Sequence, residues 1–267
     1  MPWTTIRNLR IYWESYGKKE PLLLISGVSG GTWSWEESIE AWSPHFRVIV
    51  FDNIGAGRSS KPHRPYTIEE MADHAAAVLG AAEVKRAGVV GLSMGGMIAQ
   101  ELALRHSDRV HRLVLGCTHC GGHMRIPPHP NVIQRFADNE DLSHEEIINK
   151  NIELFVTPQF RKKGSDALKR YKERQLRAPL QPDYALKRQL EAISRFDACG
   201  RIGTIQIPTL ILTAEHDILV PPENGRLLSA HIPDAVEKSF SDVGHLIYLE
   251  CAQDFHETIL NFFLNNT

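Results

Sequence analysis

The stretch VVGLSMGGMIAQ, residues 89–100, sets a serine between glycines placed two positions to either side, Gly91 and Gly95. An apolar, β-branched run leads into Ser93 and residues at helical spacing leave it, so the serine falls where a strand becomes a helix. Such a turn forces the serine into a strained backbone conformation and lifts its hydroxyl above the sheet. Side chains two residues away would collide in so tight a turn, which accounts for the two glycines. The turn also puts Ser93 at the positive end of the following helix, where developing negative charge is favoured. A serine hydroxyl is a poor nucleophile until a base takes its proton, and that base needs an orienting acid. The acid belongs at the carboxyl end of a later strand, and the histidine later still. Asp217 closes LILTAEHD, and His245 sits in SDVGHLIYLE, between the last apolar strand and the last helix. Of the 13 histidines, only His245 has the right element on each side. His45, His106 and His111 fall at element boundaries on the far side, and His216 precedes the acid. Asp52 is a rival acid, but it precedes the nucleophile, and nothing acidic follows the strand at 112–117.

The elements that must hold these residues alternate along the chain. Residues 4–17 read as an antiparallel hairpin turning near Asn8. The runs 21–26, 47–52, 87–93, 112–117, 208–217 and 235–240 are short and apolar, as expected of strands buried on both faces. Helices are predicted over 67–82, where Thr67 and Glu70 form a capping box, and over 95–106, 222–231 and 253–264. This alternation predicts an α/β fold with a mostly parallel twisted sheet and helices on both faces. The rhythm breaks over 120–200, which reads as helices at 143–156, 159–176 and 182–196. The expectation is a core of residues 1–119 and 201–267, with a helical lid of residues 120–200 inserted between strands. Such a lid suits the sheet's carboxyl edge, where open α/β sheets bind ligands. The insertion carries 14 Lys/Arg and 11 Asp/Glu, which reads as solvated helix faces.

Composition narrows the class. A net charge of -2 and the lack of a dense basic footprint argue against nucleic-acid binding. The longest apolar runs are core-strand length, too short for a bilayer, and the N-terminus lacks a secretory h-region. The expected setting is the cytoplasm, as a monomer or homodimer acting on a small molecule. Four cysteines, of which only Cys117 and Cys120 lie close in sequence, do not suggest a disulfide framework. The cluster GCTHCGGH offers Cys117, His119, Cys120 and His123 to a metal. The chemistry above needs no metal or other cofactor, so these residues read as the first turn into the lid, lining the pocket mouth.

By these features the sequence resembles the α/β-hydrolase family over nearly its whole length. The resemblance rests on GLSMGG (91–96), DNIGAGRSSKP (52–62), AEHDILVP (214–221) and VGHLIYLE (243–250). Through SMGGMIAQELALRH it is most similar to small esterase-type members of the 3-oxoadipate enol-lactonase kind. The resemblance implies Ser93 as nucleophile, Asp217 as orienting acid and His245 as general base. It further implies an oxyanion hole built from the backbone N–H groups of Met94 and Val28. Two positions depart from the family pattern: Ser26-Gly27 stands where His-Gly is usual, and Ile54 where arginine is. Ser26 is expected to brace the loop in place of the missing imidazole. The implied activity is hydrolysis of a small carboxylic ester or (enol-)lactone through an acyl-enzyme. The same triad also serves carbon–carbon hydrolases of vinylogous diketones, cofactor-free perhydrolases and hydrolase-derived small-molecule receptors. An enol-lactone would need a cation such as Arg125 or Arg135 for its carboxylate. Phe136, Ile148, Phe155 and Phe160 would instead favour an apolar acyl group, or form the core of the lid.

Overall fold

The computed structural model describes residues 3–264. Eight strands form one sheet: β1 (Trp3–Ile6), β2 (Leu9–Tyr16), β3 (Pro21–Ile25), β4 (Arg47–Phe51), β5 (Ala87–Leu92), β6 (Val110–Gly116), β7 (Thr209–Ala214) and β8 (Ala235–Phe240). The spatial order is β1-β2-β4-β3-β5-β6-β7-β8. The β1–β2 and β2–β4 pairs are antiparallel, and every pair from β4 to β8 is parallel. Arg7 and Asn8 both take positive φ, 46° and 67°, and close the hairpin with the twist its strands require.

Alternation along the central strands fills two cores at once. Leu23 and Ile25 of β3 face one hydrophobic cluster with Ile49, Val89 and Leu113. Leu22 and Leu24 face the other with Val48, Val90 and Val114. Helices α2 (Ile68–Ala81), α3 (Met94–Arg105) and α9 (Glu223–His231) cover the first face, and α1 (Glu36–Trp42) and α11 (Ala252–Leu264) the second. Burial on both faces is why these strands read as continuous apolar runs. At Thr67 the side chain accepts the Glu70 N–H as expected, while the Glu70 carboxylate turns to Arg64 and leaves the capping box half made.

Helices α4 (Pro130–Ala137), α5 (His144–Phe155), α6 (Pro158–Lys163), α7 (Asp166–Arg177) and α8 (Asp183–Arg195) lie between β6 and β7, and the short α10 (Ile247–Glu250) precedes α11. The single helix expected at 159–176 is broken at Gly164, whose φ of 56° ends α6 before Ser165 caps α7. The unforeseen elements include α4, which starts on Pro130, the 3-10 turn Thr32–Trp35 with α1 directly after it, and α10.

The cysteines correct the sequence reading. Cys120 and Cys199 form a disulfide across 79 residues, tying the two ends of the inserted helices together. β6 and β7 are neighbours in the sheet, so the chain that leaves one and returns to the other brings its ends into contact. Closing a loop of this length stabilises by about 4 kcal/mol in the chain-entropy account. No helix among the described residues is long and apolar enough to cross a membrane.

Candidate active site

The strand order reverses around β3, whose neighbours are β4 and β5, and the loops leaving β3 and β5 meet there. Register puts Ile25 beside Gly91, so the loop after β3 runs past Ser93. Ser93 has φ 57° and ψ -123° and caps α3. A Cβ on Gly91 would lie 2.3 Å from the Gly95 oxygen, and one on Gly95 would lie 2.0 Å from the Ile25 oxygen. Neither position tolerates a side chain. The strained turn is held by its neighbours. Ser93 N–H donates to Gly116 O at 2.8 Å, and Thr118 Oγ1 donates to Ser93 O at 2.8 Å.

Asp217 and His245 meet as expected, with Nδ1 of the imidazole 2.6 Å from Oδ2 of the carboxylate. The other carboxylate oxygen, Oδ1, accepts the N–H groups of Leu219 and Val220 at 2.8 and 2.9 Å. The histidine loop is anchored to the inserted helices: Leu246 N–H donates to Phe155 O at 3.1 Å, and Glu250 accepts from Gly244 N–H and the Thr157 hydroxyl. The rival acid Asp52 is fully buried and occupied elsewhere, accepting the N–H groups of Thr32 and Arg58. His216 turns instead toward Asp242.

Ser93 and His245 line one cavity of about 310 Å³, together with Val28. Met94, the first residue of α3, is fully buried beside it. Phe136, Ile148, Phe155 and Leu190 supply much of the apolar wall, whereas Phe160 packs away from it in the core of the inserted helices. Among the described residues the wall holds no Asp or Glu and one Lys or Arg, Arg125. Arg125 has no ion-pair partner among them, and Asn224 fixes the next residue by bonding both Ile126 N–H and Ile126 O. Arg135 pairs with Glu153 and does not line the cavity.

The GCTHCGGH cluster divides. Cys120 is spent in the disulfide. His119 Nδ1 accepts Gly121 N–H at 3.1 Å, and burial, helped by the Arg125 charge, drops its pKa to about 3. The imidazole is therefore neutral, with its proton on Nε2. Cys117 holds an unforeseen position: its sulfur, an Asp217 oxygen and a His245 nitrogen lie within 4.8 Å of one another. Burial pushes the Cys117 thiol well up, and the nearby Asp217 charge adds to this. A protonated thiol is a poor metal ligand, and both Asp217 oxygens are already bound by His245, Leu219 and Val220, so the trio is poorly suited to a cation.

Ser26 shows how the loop after β3 is held without the family's histidine. Its hydroxyl accepts Trp35 Nε1–H at 2.7 Å and donates to Gly31 O at 3.1 Å, while Asn53 donates to Ser26 O. Ser26→Ala strands the buried indole N–H, a loss of about 1–3 kcal/mol. The expected result is a lower Tm and a several-fold lower kcat/KM in thermal unfolding and ester hydrolysis. An unchanged kcat/KM would remove Ser26 as a brace. Ile54, at the second departure, is buried, and its carbonyl accepts from Gln189 and Tyr66.

A strained serine at a strand–helix turn and an Asp–His pair facing the same cavity, on a sheet of this order, define a hydrolase of the α/β type. The family model for the alpha/beta hydrolase fold matches residues 20–252, and the chain belongs to that family. It is 31% identical to a putative carbamate hydrolase, RutD, of Azorhizobium caulinodans, over 98% of each chain. The fold is shared with the enol-lactonase of Burkholderia xenovorans, at TM-score 0.87 and 24% identity, covering 99% of this chain and 100% of that one. An N-acyl homoserine lactone degrading enzyme is 30% identical, with TM-score 0.82 over 98% of this chain and 100% of its own.

Proposed function

We propose that the protein is a serine hydrolase of small carboxylic esters or lactones, working through an acyl-enzyme. The observation that carries this is the Asp217–His245 hydrogen bond of 2.6 Å facing the cavity that Ser93 enters from its strained turn. Ser93 Oγ attacks the acyl carbon as His245 Nε2 takes the hydroxyl proton. The oxyanion that forms is held by the Val28 and Met94 N–H groups. Collapse breaks the bond to the alkoxide, which leaves with the proton from His245 and gives acyl-Ser93. Water then attacks the acyl carbon, gives its proton to His245, and expels Ser93 Oγ, which is reprotonated as the carboxylic acid departs. The relatives named as carbamate hydrolase and lactone-degrading enzyme act on carbonyls of this acyl–heteroatom kind, which supports the same reading here.

Arg125 supports a substrate that carries a carboxylate away from the scissile bond. Among the described residues the wall is otherwise free of Lys, Arg, Asp and Glu, so this cation attracts an anion with little competition. The proposed compartment is the cytoplasm. There the Cys120–Cys199 bond would face reducing thiols, from which its burial shields it.

The test is hydrolysis of p-nitrophenyl esters, acetate through octanoate, beside the p-nitrophenyl half-ester of glutaric acid. Many turnovers per protein are expected. The half-ester should be preferred about tenfold to a hundredfold over butyrate, a preference lost in Arg125→Leu. Equal rates on half-ester and butyrate would remove the carboxylate. No turnover would favour carbon–carbon hydrolysis, and a plateau after one event per protein a receptor; either would overturn the ester reading.

A further inference from the structure

We infer that the inserted helices complete the oxyanion hole, with Gln189 of α8 acting as a positioning residue that sets the conformation of the Gly27–Gly30 turn. This rests on the hydrolase reading above and adds a part of the apparatus to it.

Gly30 N–H donates to Gly27 O at 3.1 Å, closing a four-residue turn over Gly27, Val28, Ser29 and Gly30. Ser29, the third residue, has φ 60°, while Val28 is absent from the positive-φ residues. That pair of signs is the type II turn, whose third position favours glycine or asparagine because φ is positive there. A serine there is held against its preference, at a cost of order 1 kcal/mol or more. The competing type I turn differs mainly by a flip of the Val28–Ser29 peptide, which relaxes Ser29 to negative φ.

The direction of Ser29 N–H distinguishes the two turns, and a side chain of the insertion holds it. Ser29 N–H donates to Gln189 Oε1 at 2.9 Å, from 160 residues away in sequence. Gln189 is fully buried, and its Nε2 donates to Ile54 O at 2.8 Å, so its amide cannot turn. Gln181, just before α8, repeats the pattern. It takes the Ser29 hydroxyl on Oε1 and donates from Nε2 to Gly55 O at 2.8 Å and to Gln189 Oε1 at 3.0 Å. The two amides thus clamp the turn against the loop after β4.

The consequence concerns Val28. Gly27 O is engaged inside the turn, so Val28 N–H, trans to it across the same peptide plane, points out of the turn. Gly27 lies against the nucleophile, since a Cβ there would sit 3.2 Å from Ser93 Cβ. Flipping the next peptide shifts Val28 and swings its carbonyl, and a carbonyl oxygen turned toward a developing oxyanion repels it. Loss of an oxyanion donor costs about a hundredfold to a thousandfold in kcat.

The variants Gln189→Met and Gln181→Met keep side-chain length and delete the amides. Gln189→Met is expected to lower kcat about tenfold to a hundredfold with KM within about twofold, and to weaken a trifluoromethyl ketone inhibitor in parallel. Gln181→Met, at a partly exposed position, should show a smaller effect of the same kind. Hydrogen exchange over residues 26–31 should quicken in both. The decisive variant is Gln189→Met with Ser29→Gly, because glycine at the third position favours the type II turn unaided. It should recover most of the lost kcat. Unchanged exchange in folded Gln189→Met, quickened exchange with full kcat, or no recovery by Ser29→Gly would each overturn the inference while leaving the hydrolase intact. Wild type that hydrolyses nothing would overturn both.

Discussion

Ser93→Ala is expected to abolish ester hydrolysis, lowering kcat by roughly 10⁴–10⁶ while leaving the protein folded. Among the described residues no side chain donates to or accepts from the Ser93 hydroxyl, so its removal orphans no buried group there. The backbone bonds that fix the turn, from Ser93 N–H to Gly116 O and from Thr118 to Ser93 O, do not involve Oγ and survive. Alanine inherits the φ of 57° and its strain unchanged, so Tm should move by no more than a few degrees. Ser93→Gly relieves that strain, about 1–3 kcal/mol, and should be at least as stable as wild type and equally inactive. Both variants should fail to retain a fluorophosphonate label, read by intact mass. An alanine variant with more than a hundredth of the wild-type rate would mean that another group performs the attack.

What could be read from the sequence divides by distance along the chain. The turn at Ser93 was legible because everything that makes it is local: two glycines, an apolar strand before, a helix after. Asp217 and His245 were legible through their places in the alternation of strands and helices. The helix α4 was hidden because three prolines, Pro127, Pro128 and Pro130, crowd its start, although Pro130 occupies the first helical position, where proline is welcome. Gly164 carried a stop signal that the continuous helical spacing around it masked. The contacts the sequence withheld are the long ones. Cys120 and Cys199 could be paired only by knowing that β6 and β7 are neighbours. Nothing local marks Gln189 as the partner of Ser29, since a glutamine on a charged helix reads as a solvated face. Cys117 closes a strand that ends without an acid, yet its sulfur lies within 4.8 Å of an Asp217 oxygen from that position.

Asp217→Asn should cost nearly as much activity as loss of the nucleophile, about 10⁴ in kcat, and for a reason fixed by the backbone. Two N–H donors, from Leu219 and Val220, converge on Oδ1 at 2.8 and 2.9 Å. In the asparagine variant those donors hold the amide oxygen at that place, so the NH₂ must take the place of Oδ2. The NH₂ then faces His245 Nδ1, which must accept a hydrogen bond where it formerly donated one. The ring proton moves to Nε2, the nitrogen that should take the proton from Ser93, and general-base catalysis is lost with the geometry kept. Leu219 and Val220 remain satisfied, so Tm should change little. Asp217→Ala, by contrast, strands both N–H groups and should lower stability by about 1–3 kcal/mol as well. Kinetics and thermal unfolding of the two variants separate the roles: equal loss of activity, unequal loss of stability. Asparagine activity above a tenth of wild type would show that some other group orients His245. Asp52 is a poor replacement, because both its oxygens are already bound by the N–H groups of Thr32 and Arg58.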